Sequence, residues 1–290
     1  AGKVGPYPDF AAASEGIARE AAGDPTALGP LAEARRLRDA AATACESGEF
    51  AQACDHAAAS AARLLDAFCA SQQPVPGEFR GFWCHNAFGV PGLDWEAAIA
   101  RLAENGFTAI LPNMLWAGVA YYPSEILPVA PEVAARGDPV AACLAACRKH
   151  GLQVHVWKVN WNLGRTPAHF LDRLRQEGRL QADSSGKESP WLCPSHPENQ
   201  RLEIESMVEV ARRYAVDGIH FDYIRYPDAN HCFCAGCRTR FGQATGGAVA
   251  DWPEGVTRPG PLRQRWLEWR RSHITAVVKA VSEQARALRP

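Results

Sequence analysis

A short apolar segment that ends at Pro227 carries the residues best suited to chemistry. Its β-branched and aromatic side chains predict a buried strand over residues 217–223, which the proline closes. Alternation along this strand puts His220 and Asp222 on one face and apolar residues on the other. Since barrel enzymes keep their catalytic groups at the carboxyl ends of their strands, we expect Asp222 to be the catalytic carboxylate. The alternative is that Asp222 caps a turn or pairs with Arg225.

The cysteines after this strand have the spacing of metal ligands. Cys232, Cys234 and Cys237 form a C-x-C-x-x-C run, which holds three thiolates close enough for one ion. Zinc needs a fourth ligand, and we expect Cys193, because it lies on the loop after the preceding strand. This closed set predicts a structural zinc ion that holds the loop after Asp222, with unrelated buried thiols or a disulfide as the alternative. The reserve ligands are His196 and His231.

Repeated βα units must position these residues, because the pattern from residue 79 onward alternates strand, loop and helix. The predicted strands are 79–84, 107–113, 152–158 and 217–223. The predicted helices are 94–105, 139–150, 197–214, 234–245 and 261–288. This pattern predicts an α/β fold with parallel strands and right-handed crossovers, of the (β/α)8 TIM-type barrel class.

The predicted units are too few for a closed barrel, which takes about 250 residues. About four βα units occupy residues 79–290, so we expect a barrel truncated to about its first four units. An open half-barrel that dimerises is the alternative, although open sheet edges are a liability.

Residues 1–73 differ in composition and are rich in alanine. Apolar positions recur at helical spacing on both sides of residues 47–49, which predicts a helical hairpin with its turn there. The prolines within residues 74–78 indicate a linker to the barrel part, residues 79–290. Because no chemistry-bearing residues cluster in the hairpin, we interpret it as a packing appendage.

Several residues at or just after the predicted strand ends suit a sugar ligand. Their amide, ammonium, guanidinium and indole groups match sugar hydroxyls and ring faces. The expected substrate-binding residues at these ends are Asn113, Trp116, Lys158, Asn160, Trp161 and Arg225. His155 and His220 are expected to face inward, where they orient Asp222 or line the pocket. Trp161 has a second interpretation, in which its ring packs over the end of the barrel.

Charge and composition exclude several function classes. The 290 residues are 47% hydrophobic and 22% charged, with a formal net charge of -1. This balance is typical of a globular protein and argues against a nucleic-acid partner or an anionic membrane surface. No apolar run reaches the length of a transmembrane helix, and the sequence leaves the oligomeric state open.

Short motifs follow one another in a definite order along residues 80–227. They are Arg80-Gly81-Phe82-Trp83, Gly106-Phe107-Thr108-Ala109-Ile110, Tyr121-Tyr122-Pro123-Ser124, His150-Gly151-Leu152-Gln153-Val154-His155-Val156-Trp157, Trp191-Leu192-Cys193-Pro194, and Asp217-Gly218-Ile219-His220-Phe221-Asp222 with Tyr226-Pro227. In this order they resemble the glycosyl-hydrolase-like family ten of bacterial proteins, formerly a domain of unknown function, which adopts a (β/α)8 barrel. The resemblance implies hydrolysis of envelope glycans, including peptidoglycan strands stripped of peptide.

Glycoside hydrolysis needs two carboxyl groups, about 5–5.5 Å apart for retention and about 6.5–9.5 Å apart for inversion. The family pattern often carries a second acidic residue directly after the position of Asp222, where this sequence has Tyr223. We therefore expect the second acid beyond residue 290, and expect the 290-residue chain alone to be inactive. Glu125 is a weaker candidate, and Asp217 starts the strand, where residues serve stability.

These observations predict a glycoside hydrolase that acts on a bacterial cell-envelope or amino-sugar polysaccharide through Asp222. Such a substrate implies an extracytoplasmic location, secreted or periplasmic. The first alternative is a non-catalytic carbohydrate-binding barrel, in which Asp222 only hydrogen-bonds sugar. The second is a zinc hydrolase, which the closed cysteine set disfavours.

Overall fold

The computed structural model describes residues 3–73 and 75–290. The chain divides into two compact units, Ala1–Glu78 and Phe79–Pro290, each with its own buried core. Pro74, at the start of the predicted linker 74–78, lies outside the described residues, as do residues 1 and 2 of the predicted appendage.

Within residues 3–73, the first unit contains three helices. They are α1 (Phe10–Glu20), α2 (Pro25–Glu46) and α3 (Phe50–Ser71). The carboxylates of Asp9 and Asp24 accept hydrogen bonds from first-turn amides, which fixes where α1 and α2 begin. α2 and α3 meet at residues 47–49, where the turn of the hairpin was predicted, and α1 is an additional helix that was not predicted. The chain turns at Gly23, with φ 94°, before α2. Ala13 and Ala34 are fully buried, so the helices pack closely.

The second unit is a mixed α/β structure. Its strands are β1 (Gly81–Cys84), β2 (Ala109–Trp116), β3 (Val119–Ala120), β4 (Gln153–Val159), β5 (Leu180–Ala182), β6 (Glu188–Leu192) and β7 (Gly218–Asp222). Its helices are α4 (Trp95–Glu104), α5 (Glu132–Arg136), α6 (Pro139–His150), α7 (Ala168–Gln176), α8 (Pro197–Arg213), α9 (Ala235–Thr245), α10 (Glu254–Thr257) and α11 (Pro261–Leu288). Across residues 3–73 and 75–290, no helix combines the length and apolar character that a membrane span requires.

Four strands form a parallel sheet in the order β1, β2, β4 and β7. The register places Trp157 of β4 beside His220 of β7, and the register of β2 against β4 shifts between Asn113 and Leu115. The short β3 pairs antiparallel with β2, whereas β5 and β6 form a separate antiparallel hairpin. The carboxyl ends of the four parallel strands therefore lie at one edge of the sheet, where Asp222 ends β7.

The two faces of the sheet have different environments. Val154 and Val156 lie on the face covered by helices and pack in one cluster with residues of α4, α6 and α8. Cys143 and Cys147 of α6 are buried in the same cluster. The opposite face, which we call the open face, carries Trp83, Trp157, His220 and Asp222. Trp83 is 59% exposed, so this face is accessible to solvent.

The segment between β4 and α8 contains structure that the sequence did not predict. It holds α7 and the β5–β6 hairpin, whose strands have three and five residues. β3 and β5, with two and three residues, give too few alternating positions for a periodic signal. β6 contains Pro190, which weakens its signal as a strand. The backbone N of Phe233 donates to the carbonyl of Ala182 at 2.7 Å, which joins the hairpin to the loop after β7.

Candidate active site and metal centre

Asp222 lies half-buried at the carboxyl edge of the sheet, with both carboxylate oxygens engaged. Oδ2 accepts a hydrogen bond from the indole Nε1 of Trp157 at 3.1 Å. Oδ1 accepts one from the backbone N of Tyr223 at 2.8 Å. Arg225, the alternative partner, instead donates to the carbonyls of the two residues that follow it. The carboxylate is therefore held in one orientation by an indole and a backbone amide.

His220 lies on the open face two residues before Asp222. Its ring centroid is 5.8 Å from that of Trp83 and 6.4 Å from that of Trp157. Burial lowers the pKa of His220, an effect that the Asp222 carboxylate partly offsets. The imidazole is therefore neutral at pH 7, with one nitrogen as a donor and the other as an acceptor.

His155 lies on the same face but near the other end of the strands. In the register it stands beside Gly218, whereas Val159 stands beside Asp222. These positions are four residues apart, or about 13 Å along the strand. The His155 ring instead meets Phe79 edge-on, with centroids 5.3 Å apart. A direct role of His155 in orienting Asp222 does not fit this separation.

Lys158 belongs to the helix-covered face of the sheet. Its ammonium lies 3.0 Å from Oε2 of Glu203 on α8, and both side chains are completely buried. Burial lowers the pKa of Lys158, and the Glu203 carboxylate partly offsets this effect. Lys158 was expected to contact sugar, but its ammonium is enclosed between the sheet and α8 and does not reach the open face.

Glu203 also holds the turn that follows β4. Its carboxylate accepts hydrogen bonds from Nδ2 of Asn160 at 2.6 Å and from the backbone N of Trp161 at 3.1 Å. Asn160 and Trp161 were expected to contact sugar, but both side chains are fully buried. The Trp161 ring packs in an apolar cluster, which is closer to its second interpretation as a packing residue. Asn160 N donates to the carbonyl of Asp222 at 2.8 Å, which links this turn to β7. Glu203 was missed because a helical glutamate is typically exposed.

Asn113 and Trp116 lie near the carboxyl end of β2 and are bonded to each other. Trp116 Nε1 donates to Oδ1 of Asn113 at 2.6 Å. The guanidinium carbon of Arg165 lies 5.0 Å from the Trp116 ring centroid. Asn113 is 2% exposed, whereas Trp116 is half-buried. Asn113 thus orients the Trp116 indole, whose ring stays partly exposed.

An aromatic stack involves Tyr223, the residue that follows Asp222. The rings of Trp191 on β6 and Tyr223 are nearly parallel, at 7°, with centroids 5.5 Å apart. The guanidinium carbon of Arg225 lies 4.9 Å from the Tyr223 centroid, and Tyr223 is 40% exposed. A flat aromatic surface of this kind can pack against a sugar ring. Trp157, Trp191 and Tyr223 were not predicted as site residues, because their partners are distant in sequence or visible only in the fold.

The other two carboxylates considered from the sequence are bonded elsewhere. Oδ2 of Asp217 accepts a hydrogen bond from the backbone N of Val154 at 2.8 Å, which ties β7 to β4 at its amino end. Glu125 is exposed and pairs at 3.1 Å with Arg213, the last residue of α8. The contact of Asp217 is therefore structural, whereas Glu125 makes only a surface ion pair.

Four cysteines converge at the loop after β7. The sulfurs of Cys193, Cys232, Cys234 and Cys237 all lie within 4.8 Å of one another. Cys193 Sγ is 3.4 Å from Cys237 Sγ and 3.7 Å from Cys234 Sγ. Sulfurs around tetrahedral zinc lie about 3.8 Å apart. The spacing therefore fits a metal ion with four thiolate ligands.

Aromatic side chains surround this cysteine group. Phe233, Phe241 and Trp266 pack in one buried cluster with three of the four cysteines. The reserve ligand His231 instead pairs with Asp228 at 2.8 Å. His196 occupies the N-cap position of α8 without a side-chain capping hydrogen bond and lies outside the cysteine group. The enclosure and the complete sulfur set favour a site that is closed to substrate.

Residues 78–290 match the sequence model of the Glycosyl hydrolase-like 10 family, and the chain belongs to this family. It is similar to the glycosyl hydrolase DigH of Escherichia coli (strain K12), at 25% identity over 195 residues, which cover 60% of this chain. The S-layer-related protein of Niallia circulans is 25% identical over 130 residues, covering 40% of this chain and 8% of that protein.

The matched segment covers 40% of the length of DigH. Among solved structures, a β-galactosidase of the haloarchaeon Halorubrum lacusprofundi aligns with a TM-score of 0.45 at 14% identity. That alignment covers 72% of this chain and 34% of the β-galactosidase.

Proposed function

We propose that the chain is part of a glycoside hydrolase in which Asp222 is one of the two catalytic carboxylates. The observation that carries this proposal is the position of Asp222 at the carboxyl edge of the sheet, held by Trp157 Nε1 and the Tyr223 amide. Membership of the Glycosyl hydrolase-like 10 family supports the reaction class. Asp222 then acts as proton donor or as nucleophile, the two roles that glycoside hydrolysis requires.

The second carboxylate is proposed to come from chain that follows residue 290 in the whole protein. The segment of DigH that matches this chain covers 40% of the length of DigH. The remaining part of DigH has no counterpart in the match. In a TIM-type barrel, further strands would place their carboxyl ends at the same edge as Asp222. The pair would then flank one glycosidic bond across the open face.

The proposed substrate is a bacterial cell-envelope or amino-sugar polysaccharide, hydrolysed outside the cytoplasm. Trp191 stacks on Tyr223, the residue after Asp222, and Trp83 adds an exposed indole on the open face. Aromatic faces pack against the C–H faces of sugar rings, while His220 can hydrogen-bond a hydroxyl. The chemical groups at the site thus suit a glycan.

The cysteine group is proposed to hold one structural zinc ion, bound by Cys193, Cys232, Cys234 and Cys237. Four thiolates leave no open position for water, so the ion supplies stability and no chemistry. Cys232 lies ten residues after Asp222 in the sequence. The ion would therefore hold the loop that leaves the catalytic strand.

The activity is tested by incubating the whole protein with peptide-free peptidoglycan strands, other amino-sugar polymers and neutral polysaccharides. We expect new reducing ends from an amino-sugar polymer and smaller products by mass spectrometry. Tight glycan binding without any cleavage across the panel would favour the second candidate, a carbohydrate-binding barrel. The observation that favours this candidate is Tyr223, whose exposed ring occupies the position directly after Asp222.

A further inference from the structure

The cysteine group has polar neighbours whose contacts converge on its sulfurs. Ser195 Oγ lies 3.3 Å from the sulfurs of both Cys193 and Cys237. Arg240 on α9 donates from Nη2 to Cys193 Sγ at 3.6 Å. The same side chain donates from Nε and Nη2 to Ser195 Oγ at 3.1 Å and 3.0 Å. A guanidinium and a hydroxyl thus form one hydrogen-bonded chain onto two of the four sulfurs.

We propose that Arg240 and Ser195 set how tightly the four cysteines hold their metal ion. Four thiolates around one divalent ion carry a net charge of about −2. A buried group with that charge is costly unless a nearby cation and hydrogen-bond donors offset it. The Arg240 guanidinium supplies a positive charge directly at Cys193. This inference rests on the proposed zinc site and not on the glycosidase activity.

The Arg240 guanidinium occupies space that a side chain at residue 236 would need, and Gly236 leaves this space free. Gly236 lies in the first turn of α9, between two of the cysteines in sequence. A Cβ added at this residue would lie 2.6 Å from Nη2 of Arg240 and 2.8 Å from Nη1. A larger residue would therefore push the guanidinium aside while leaving its charge in the molecule.

A second arginine, which is buried, adds to the positive charge of the half-buried Arg240 around the cysteine group. Arg270 is 9% exposed, and its guanidinium carbon lies 3.9 Å from the ring centroid of Tyr226. It donates to the carbonyl of His231, the residue directly before Cys232. Two guanidiniums near the cysteines match the net charge of a zinc ion bound by four thiolates.

The direct test is the zinc affinity of Arg240→Gln, measured by competition with a chromogenic chelator on the 290-residue chain. We expect the affinity to fall by about tenfold to hundredfold, the usual effect of removing an outer hydrogen-bond partner of a metal ligand. Arg238→Gln is the matched control, because Arg238 lies on the same helix with an exposed side chain. The control removes the same charge and is expected to change the affinity by less than about twofold.

Two further measurements separate charge from position. Gly236→Ala keeps Arg240 and favours the helix, since alanine is the better helix former, yet is expected to weaken zinc binding. In the cobalt-loaded chain, Arg240→Gln is expected to move the sulfur-to-cobalt charge-transfer band to longer wavelength, because Cys193 loses a hydrogen-bond donor. Ser195→Ala is expected to move the band in the same direction.

Three results would overturn the proposal that Arg240 and Ser195 set the metal affinity. The first is a zinc affinity of Arg240→Gln that stays within about twofold of the affinity of the unsubstituted chain, together with an unchanged wavelength of the sulfur-to-cobalt band. An equal loss in Arg238→Gln would overturn it as well, since net charge alone would then explain the effect. A chain that binds no stoichiometric metal would remove the zinc site itself and this inference with it. Glycan cleavage is measured separately, so the two failures are distinguishable.

Discussion

At the scale of single residues, the indole of Trp157 is the group that orients Asp222. Its Nε1 donates to Oδ2 at 3.1 Å, and its ring lies 4.7 Å from His85 and 6.4 Å from His220, measured between centroids. The backbone amide of Tyr223 holds the other oxygen and is kept by every substitution except proline. Trp157 is therefore the side chain through which the orientation of the carboxylate can be changed.

Trp157→Phe is expected to lower kcat/KM of the whole protein by about tenfold, roughly 1.4 kcal/mol of transition-state stabilisation. Phenylalanine keeps an aromatic ring on the open face but removes the hydrogen bond to Asp222. Trp191→Phe is the control, because its ring stacks on Tyr223 and is expected to change KM more than kcat. An unchanged kcat/KM in Trp157→Phe would show that the indole N–H does not position the carboxylate.

A second prediction at this scale concerns pH. Burial lowers the pKa values of His155 and His220 below 6.5 in the folded chain. Below pH 6.5, the unfolded chain therefore binds protons that the folded chain does not, and the free energy of unfolding falls as the pH falls. His220→Gln is expected to reduce this fall, as measured by urea unfolding at about pH 7.5 and about pH 5.5. The same pH dependence in both proteins would contradict the account.

At the scale of elements, a buried ion pair joins β4 to α8. Lys158 and Glu203 are completely buried and 3.0 Å apart, and Glu203 also bonds Asn160 at 2.6 Å. Removing one partner of a buried pair leaves an uncompensated charge, which costs more than the pair itself contributes. The pair thus fixes the turn after β4, and through Asn160 N the end of β7.

Glu203→Gln is expected to destabilise the second unit by about 3–5 kcal/mol. The amide keeps the size of the side chain but leaves the Lys158 ammonium without a counter-charge. Glu205→Gln on the same helix is the matched control, since Glu205 is exposed and its loss is expected to have little effect. Urea unfolding gives both values, and equal values would mean that the pair does not hold β4 to α8.

The loop after β7 gives a second prediction for an element. Purified chain is expected to contain about one zinc ion, and the four cysteines to resist alkylation until the metal is removed. Chelation is expected to lower the melting temperature, because the thiolates then lose their shared ligand. Less than one metal ion per chain, with four reactive thiols in the folded chain, would contradict the proposed site.

Elements with strong local signals were predictable from the sequence. α6 has Asp138 as its cap and Gly151 at its end, and the observed helix, Pro139–His150, has the predicted bounds. The face on which Lys158 lies was not inferred, because a lysine near a strand end was assumed to be exposed. Its partner Glu203 lies on another element, so no spacing indicates the pair. The β5–β6 hairpin gave no strand pattern, because β5 has three residues and β6 contains Pro190.

At the scale of the whole molecule, the family match covers residues 78–290 and the DigH match covers 40% of that protein. If the second carboxylate lies in chain that follows, the 290 residues alone should bind glycan but not cleave it. The measurement is reducing-end release by the 290-residue chain beside the whole protein at equal folded concentration. Turnover by the shorter chain would require a second acid within it.

The most direct measurement is the activity of Asp222→Asn in the whole protein, with glycan binding measured on the same sample. Asp251→Asn serves as the control, because Asp251 is exposed. We expect Asp222→Asn to lower kcat by more than about a hundredfold, roughly 2.7 kcal/mol, while glycan affinity stays within a few fold. Activity retained in Asp222→Asn would contradict this expectation and assign the catalytic carboxylate to another residue.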